Sequence, residues 1–144
     1  MSKNILRFII PKSLSVYITD DSTVRQALEK MNYHKYKAVP IIDDDGKYVG
    51  TLKSEDTLRY FMSLGKFNME AAEDTLAIDI IDKNNVKPLL HSATMSDLIE
   101  NVKEHNFVPV VDDRGCFIGI ILRRDILNFL LNYYNDTRKG DNVG

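Results

Sequence analysis

The chain repeats itself, and this constrains its fold more than any single motif. Residues 38–50, AVPIIDDDGKYVG, align without a gap on residues 107–119, FVPVVDDRGCFIG, with Val, Pro, two Asp and two Gly coinciding. The same offset sets Asp56 over Asp125 and Leu58 over Leu127. Upstream, after a two-residue gap, residues 23–29 lie over residues 94–100.

Each copy reads as strand, helix, strand, hairpin, strand, helix. Residues 16–18 and 87–90 are short extended segments. Thr23 and Thr94 are N-caps, and Gln26 and Asp97 stand three residues on at capping-box spacing. Val24, Ala27, Leu28 and Met31 recur at helical spacing, as do Met95, Leu98, Ile99 and Val102. Residues 38–42 and 107–111 are β-branched and almost wholly apolar, as in a strand buried on both faces. The Asp-Asp-x-Gly runs that follow are hairpin chemistry, glycine taking the positive φ of the turn. Residues 48–52 and 116–122 return as partner strands, and helices follow over 54–64, ending at Gly65, and over 124–134.

The fold class expected is therefore mixed α/β (α+β), built of two βαββα repeats. Repeat 1 spans 12–65 and repeat 2 spans 87–134. Residues 66–86 form an ordered connector with apolar groups to bury, and the polar residues 135–144 form a flexible tail. Neither repeat alone buries a large core; two sheets packed together do.

Composition narrows function by exclusion. The formal net charge of −2 gives no global attraction to nucleic acid or anionic lipid, so any anion site depends on local basic residues. No apolar run reaches membrane-spanning length, and residues 1–11 lack the core and cleavage site of a secretory signal. One cysteine, Cys116, excludes an intrachain disulfide framework, which makes the cytoplasm the expected compartment. His34, His91 and His105 have no metal-ligand spacing with one another or with Cys116; His34 and His105 are read as ending matching helices. No Gly-x-Ser-x-Gly, Walker sequence or paired acid-base constellation occurs, so no enzyme, metal or required cofactor is expected.

The repeated pattern of helix, Val-Pro strand, Asp-rich hairpin, strand carrying Gly, and Asp opening a helix resembles the cystathionine-β-synthase (CBS) domain, and two in tandem resemble a Bateman module. The resemblance covers residues 12–134. It implies two halves around a pseudo-two-fold axis, with clefts that bind adenosine-containing ligands such as AMP, ATP, S-adenosylmethionine or cyclic di-AMP. With no second domain in the sequence, a free-standing sensor acting on an unidentified partner protein is expected.

The resemblance also implies site residues. Asp56 and Asp125 stand where the family's carboxylate accepts from ribose hydroxyls. Lys53 and Leu122 replace the family's Ser or Thr, with Ser54 one place later in the first copy. Arg123 and Arg124, where the last helix begins, suit a phosphate through dipole and charge-assisted bonds. Tyr36, Lys37, Ala38 and Pro40, with Phe107 in the second copy, are expected to wall the base, and Lys12 to reach the same cleft. The Tyr-x-Ala and Arg-Arg-Asp runs are similar to those of members that bind cyclic di-AMP. The other reading is a structural or protein-interaction module whose nucleotide sites have degenerated. Apolar residues around much of the circumference of helices 54–64 and 124–134 predict a homodimer.

Overall fold

The computed structural model describes residues 4–82 and 86–141, with side chains up to residue 138. Residues 83–85 of the expected connector and 142–144 of the expected tail lie outside the described residues. The elements are β1 (Ile10–Pro11), β2 (Ile18–Thr19), α1 (Val24–His34), β3 (Ala38–Ile42), β4 (Tyr48–Lys53), α2 (Ser54–Leu64), α3 (Met69–Asp74), β5 (Leu89–Leu90), α4 (Met95–Val102), β6 (Phe107–Val111), β7 (Phe117–Leu122) and α5 (Arg123–Asp141).

Both repeats form as their local chemistry dictates. Thr23 and Gln26 close a complete capping box on α1, and Thr94 and Asp97 close its twin on α4. Gly65 ends α2 in the left-handed conformation, φ +73°. In the first hairpin the Asp43 carboxylate accepts from the amides of Asp45 and Lys47, and in the second Asp112 accepts from Arg114 and Cys116. Gly46 and Gly115 take φ of +81° and +83° beside them.

Two sheets result, ordered β2-β3-β4 and β1-β7-β6-β5. In each repeat the first strand runs parallel to the Val-Pro strand, which pairs antiparallel with the last. The hairpin tips join the sheets: the Tyr48 amide donates to Gly115 O at 3.1 Å and the Phe117 amide to Gly46 O at 2.8 Å.

The sheets are unequal because β1 crosses over. Ile10 and Pro11 pair antiparallel with Ile120 and Gly119 of repeat 2, and a short 3-10 turn before them buries Ile5 completely in the repeat 2 core beside Leu98, Val110 and Ile126. Burying an isoleucine contributes about 1.5–3 kcal/mol. The first residues thus belong spatially to the second repeat. Gly119 permits the crossing, since a Cβ there would meet the Ile10 carbonyl and the Ile9 side chain.

Two expectations need correction. The final helix starts at Arg123 and runs to Asp141, through much of the expected tail. Nothing between Asn135 and Lys139 breaks it, and Thr137 Oγ1 donates back to Tyr133 O at 2.9 Å. Helix α4 ends at Val102, so His105 lies beyond it, in the approach to β6. Within the described part of the connector, α3 buries Ala72 against Val24 and Phe61, and Leu76 bridges to Thr23.

Candidate functional site

Where the two repeats face each other lies a cleft of about 940 Å³, a volume that suits a nucleotide-sized ligand. Its lining follows the internal repeat. Tyr36, Lys37, Ala38, Thr51, Lys53 and Glu55 come from repeat 1, and their positional equivalents His105, Asn106, Phe107, Ile120, Leu122 and Arg124 come from repeat 2.

Backbone geometry presents these side chains. Lys35 ends α1 in the left-handed conformation, φ +59°, and the Tyr36 amide returns to Met31 O at 2.9 Å. That turn sets the half-exposed Tyr36 ring against His34, stacked at 5.5 Å and 20°. The following residues brace the next helix: Ser54 N donates to Lys37 O at 2.9 Å, and at equivalent positions Arg123 N donates to Asn106 O at 2.8 Å. Strand register sets Ala38 opposite Lys53 and Phe107 opposite Leu122. Beside the repeat 1 face the wall is small and polar; beside repeat 2 it is bulky and apolar.

The sequence-derived candidates divide. Tyr36, Lys37, Ala38, Pro40, Phe107 and Arg124 line the cleft. Arg123, Asp56, Asp125 and Lys12 lie outside that lining. The Arg123 Nε donates to Val102 O at 2.6 Å and His105 O at 3.1 Å, closing the end of α4. Asp56, 1% exposed, accepts from Lys53 N at 2.9 Å and pairs with Arg59 at 2.8 Å. Asp125 is half-buried in the first turn of α5. The Lys12 ammonium sits over the Tyr17 ring, 5.5 Å from its centroid. Ser54 lines the cleft while its hydroxyl donates to Lys37 O at 3.1 Å.

His105 was absent from the sequence-derived site. Burial, and then the Lys53 charge from the other repeat, push its imidazole below the usual histidine range; Glu104 opposes the shift and Arg123 adds to it. Its alignment over Tyr36 was the signal available in the sequence. Among the described residues no His/Cys/Asp/Glu group is placed to hold a metal ion, and no helix is long and apolar enough to cross a membrane.

Comparison with known proteins bears on what such a cleft accompanies. The family model for the CBS domain matches twice, over residues 1–63 and 77–132. The protein MJ1225 of Methanocaldococcus jannaschii is 30% identical over 132 residues, covering 84% of this chain but only 46% of its own length. The chain therefore spans less than half of that relative. Among solved structures, CbpB in complex with c-di-AMP superposes with a TM-score of 0.82 at 22% identity, covering 96% of this chain and 91% of that one. The Listeria monocytogenes CbpB complex with c-di-AMP superposes at 0.78 with 20% identity, covering 92% and 98%. At these identities the likeness establishes the fold.

Proposed function

The chain belongs to the CBS-domain family as a tandem pair, and on that footing we propose that it is a non-enzymatic regulatory module that binds an adenosine-containing nucleotide in the inter-repeat cleft and signals its occupancy to a partner protein. The observation that carries this reading is the lining itself: six positions of each repeat, equivalent in sequence, converge on one nucleotide-sized cavity. Tyr36, Ala38, Pro40 and Phe107 wall the base. Lys37 and Arg124 meet phosphate.

AMP, ATP and cyclic di-AMP all fit this chemistry. Cyclic di-AMP is favoured because two solved structures of the same fold hold it. The module acts in the cytoplasm as a homodimer joined through α2 and α5. Leu58, Met62, Leu127 and Leu131 on these helices are all more than half exposed.

A second reading, an interaction module without ligand, draws on Asp56 and Ser54, whose polar atoms are engaged within the protein. Thermal-shift titration against AMP, ATP, cyclic di-AMP, S-adenosylmethionine and guanine counterparts separates the two. Native-state binding contributes about 2.7 kcal/mol at a hundredfold excess over Kd, so an adenine compound should raise the melting temperature. No shift with any adenine compound at millimolar concentration establishes the second reading.

A further inference from the structure

Equivalent positions of the two repeats bring opposite chemistry to the cleft. Lys53, the last residue of β4, and His105 of repeat 2 line the cleft together, and the ammonium charge acts on the imidazole. The equivalent positions in the opposite repeats are Leu122 and Tyr36, and all four residues line the cleft. Lys53 and His105 thus bring a cation and an imidazole where Leu122 and Tyr36 bring an apolar and an aromatic side chain, although the backbone that carries them is duplicated.

Lys53 forms no ion pair among the described residues, and its register partner is the small Ala38. Around His105 stand Glu104 on its own segment, Arg123 holding its carbonyl from α5, and Arg124 one residue further on. Glu55 is the other acid in the lining. Lys37, Lys53 and Arg124 therefore outnumber the acids before His105 carries any charge.

We infer that a ligand lies with an anionic group towards the Lys53 and His105 part of the lining and a ring towards Tyr36 and Leu122, and that His105 takes up a proton as the anion binds. This rests on the reading of the cleft as a nucleotide site. Burial, and then the Lys53 ammonium, favour the neutral imidazole. A phosphate placed between the two groups favours the imidazolium. By linkage, affinity for an anion of fixed charge rises as pH falls from neutrality through the bound-state pKa, whereas affinity for an uncharged nucleoside stays flat.

Calorimetric titration from pH 8 to 5.5 with cyclic di-AMP, whose phosphodiesters keep their charge throughout, is set against adenosine. NMR titration of the His105 ring is run with and without sulfate. The expected results are about tenfold tighter cyclic di-AMP binding at the acid end, unchanged adenosine binding and a raised His105 pKa in sulfate. Lys53→Met should weaken cyclic di-AMP about tenfold and spare adenosine, and His105→Gln should bind it without pH dependence. Cyclic di-AMP binding with a flat pH profile overturns the inference and leaves the proposed function standing. No binding of either adenine compound, with sulfate still raising the His105 pKa, removes the nucleotide reading and keeps the anion site. A His105 titration that neither anion moves overturns the inference.

Discussion

Lys47 and Cys116 occupy the same place in the two repeats and are bridge partners of one another. The flanking hydrogen bonds, Tyr48 to Gly115 and Phe117 to Gly46, also join equivalent residues reciprocally, so the pseudo-two-fold axis passes through this contact. These bonds flank the pair and do not link it, which is the closer arrangement for facing antiparallel residues, with Cα atoms about 4.5 Å apart. That spacing falls within disulfide range. Lys47→Cys should therefore form a disulfide with Cys116 on mild oxidation, closing a loop of about 70 residues and stabilising the chain by about 2–4 kcal/mol. Thiol titration and denaturant melts with and without reductant check this; under reducing conditions the gain should vanish.

Tyr48 stands one residue from the axis and carries a pH signature. Its hydroxyl donates to Val86 O at 2.7 Å and lies 2.6 Å from Thr51 Oγ1, and burial raises its pKa to about 12, against a smaller lowering by the Thr51 bond. The unfolded phenol ionises near pH 10, so the folded state binds the proton more tightly between these values. The contribution is intact below pH 10 and is lost as pH rises towards 12, a difference of about 2–3 kcal/mol. Urea melts of Tyr48→Phe should show a shallower alkaline slope than wild type. At neutral pH the variant should cost about 1 kcal/mol, and its fit is ensured because Phe117 already occupies the equivalent position.

Two glycines should respond differently to alanine. At Gly119 the new methyl meets the Ile10 carbonyl, so β1 must move off β7, at a cost of about 3 kcal/mol or more. At Gly65 there is open space and only the left-handed conformation to strain, worth about 1–2 kcal/mol. Hydrogen exchange should localise the first effect to residues 5–11 and to β7, and leave the second confined to the end of α2.

The adjacent arginines should separate into different roles. Arg124→Ala should weaken phosphorylated ligand, flatten its salt dependence and spare adenosine, because the lost interaction is charge pairing within the cleft. Arg123→Ala should instead lower stability by about 1.5–3 kcal/mol, since charged bonds to the Val102 and His105 carbonyls are lost. Equal effects of the two variants on ligand affinity and on melting would refute this division.

Sedimentation equilibrium tests the homodimer: a mass near twice 16.5 kDa is expected at micromolar protein, and a single species at 16.5 kDa would refute it. Leu130 packs against the repeat 2 core, so a charge there would confound folding with assembly. Leu131, 57% exposed, is the cleaner position. Leu131→Glu should give a folded monomer with an unchanged circular dichroism spectrum.

What the sequence revealed was local. Thr23 with Gln26, Thr94 with Asp97, the Asp-Gly hairpins and the Ser54–Leu64 helix are each specified within a few residues, and each forms as read. The missed features depend on residues far apart in the chain. The buried partners of Ile5 and the strand partner of Ile10 are more than 80 residues away, and nothing in the first eleven residues announces a strand of the second sheet. Arg123 and Arg124 look alike in sequence, yet the ends of α4 and α5 meet at Arg123 and claim its guanidinium. His105 reads as a helix terminus because the upstream alignment sets it over His34; α4 stops three residues earlier, and His105 lines the cleft at the position equivalent to Tyr36.

The crossed strand also sets a timetable. Ile10 leaves the ribosome well before its partner Ile120, which stands 110 positions later. Contacts of such separation form late, because the intervening chain must be ordered first. A nascent chain can assemble β2, β3 and β4 early, but its leading segment must wait, apolar and unpaired, until β7 has emerged. The segment that carries Ile5 and β1 is thus the last piece of the two-repeat body to dock.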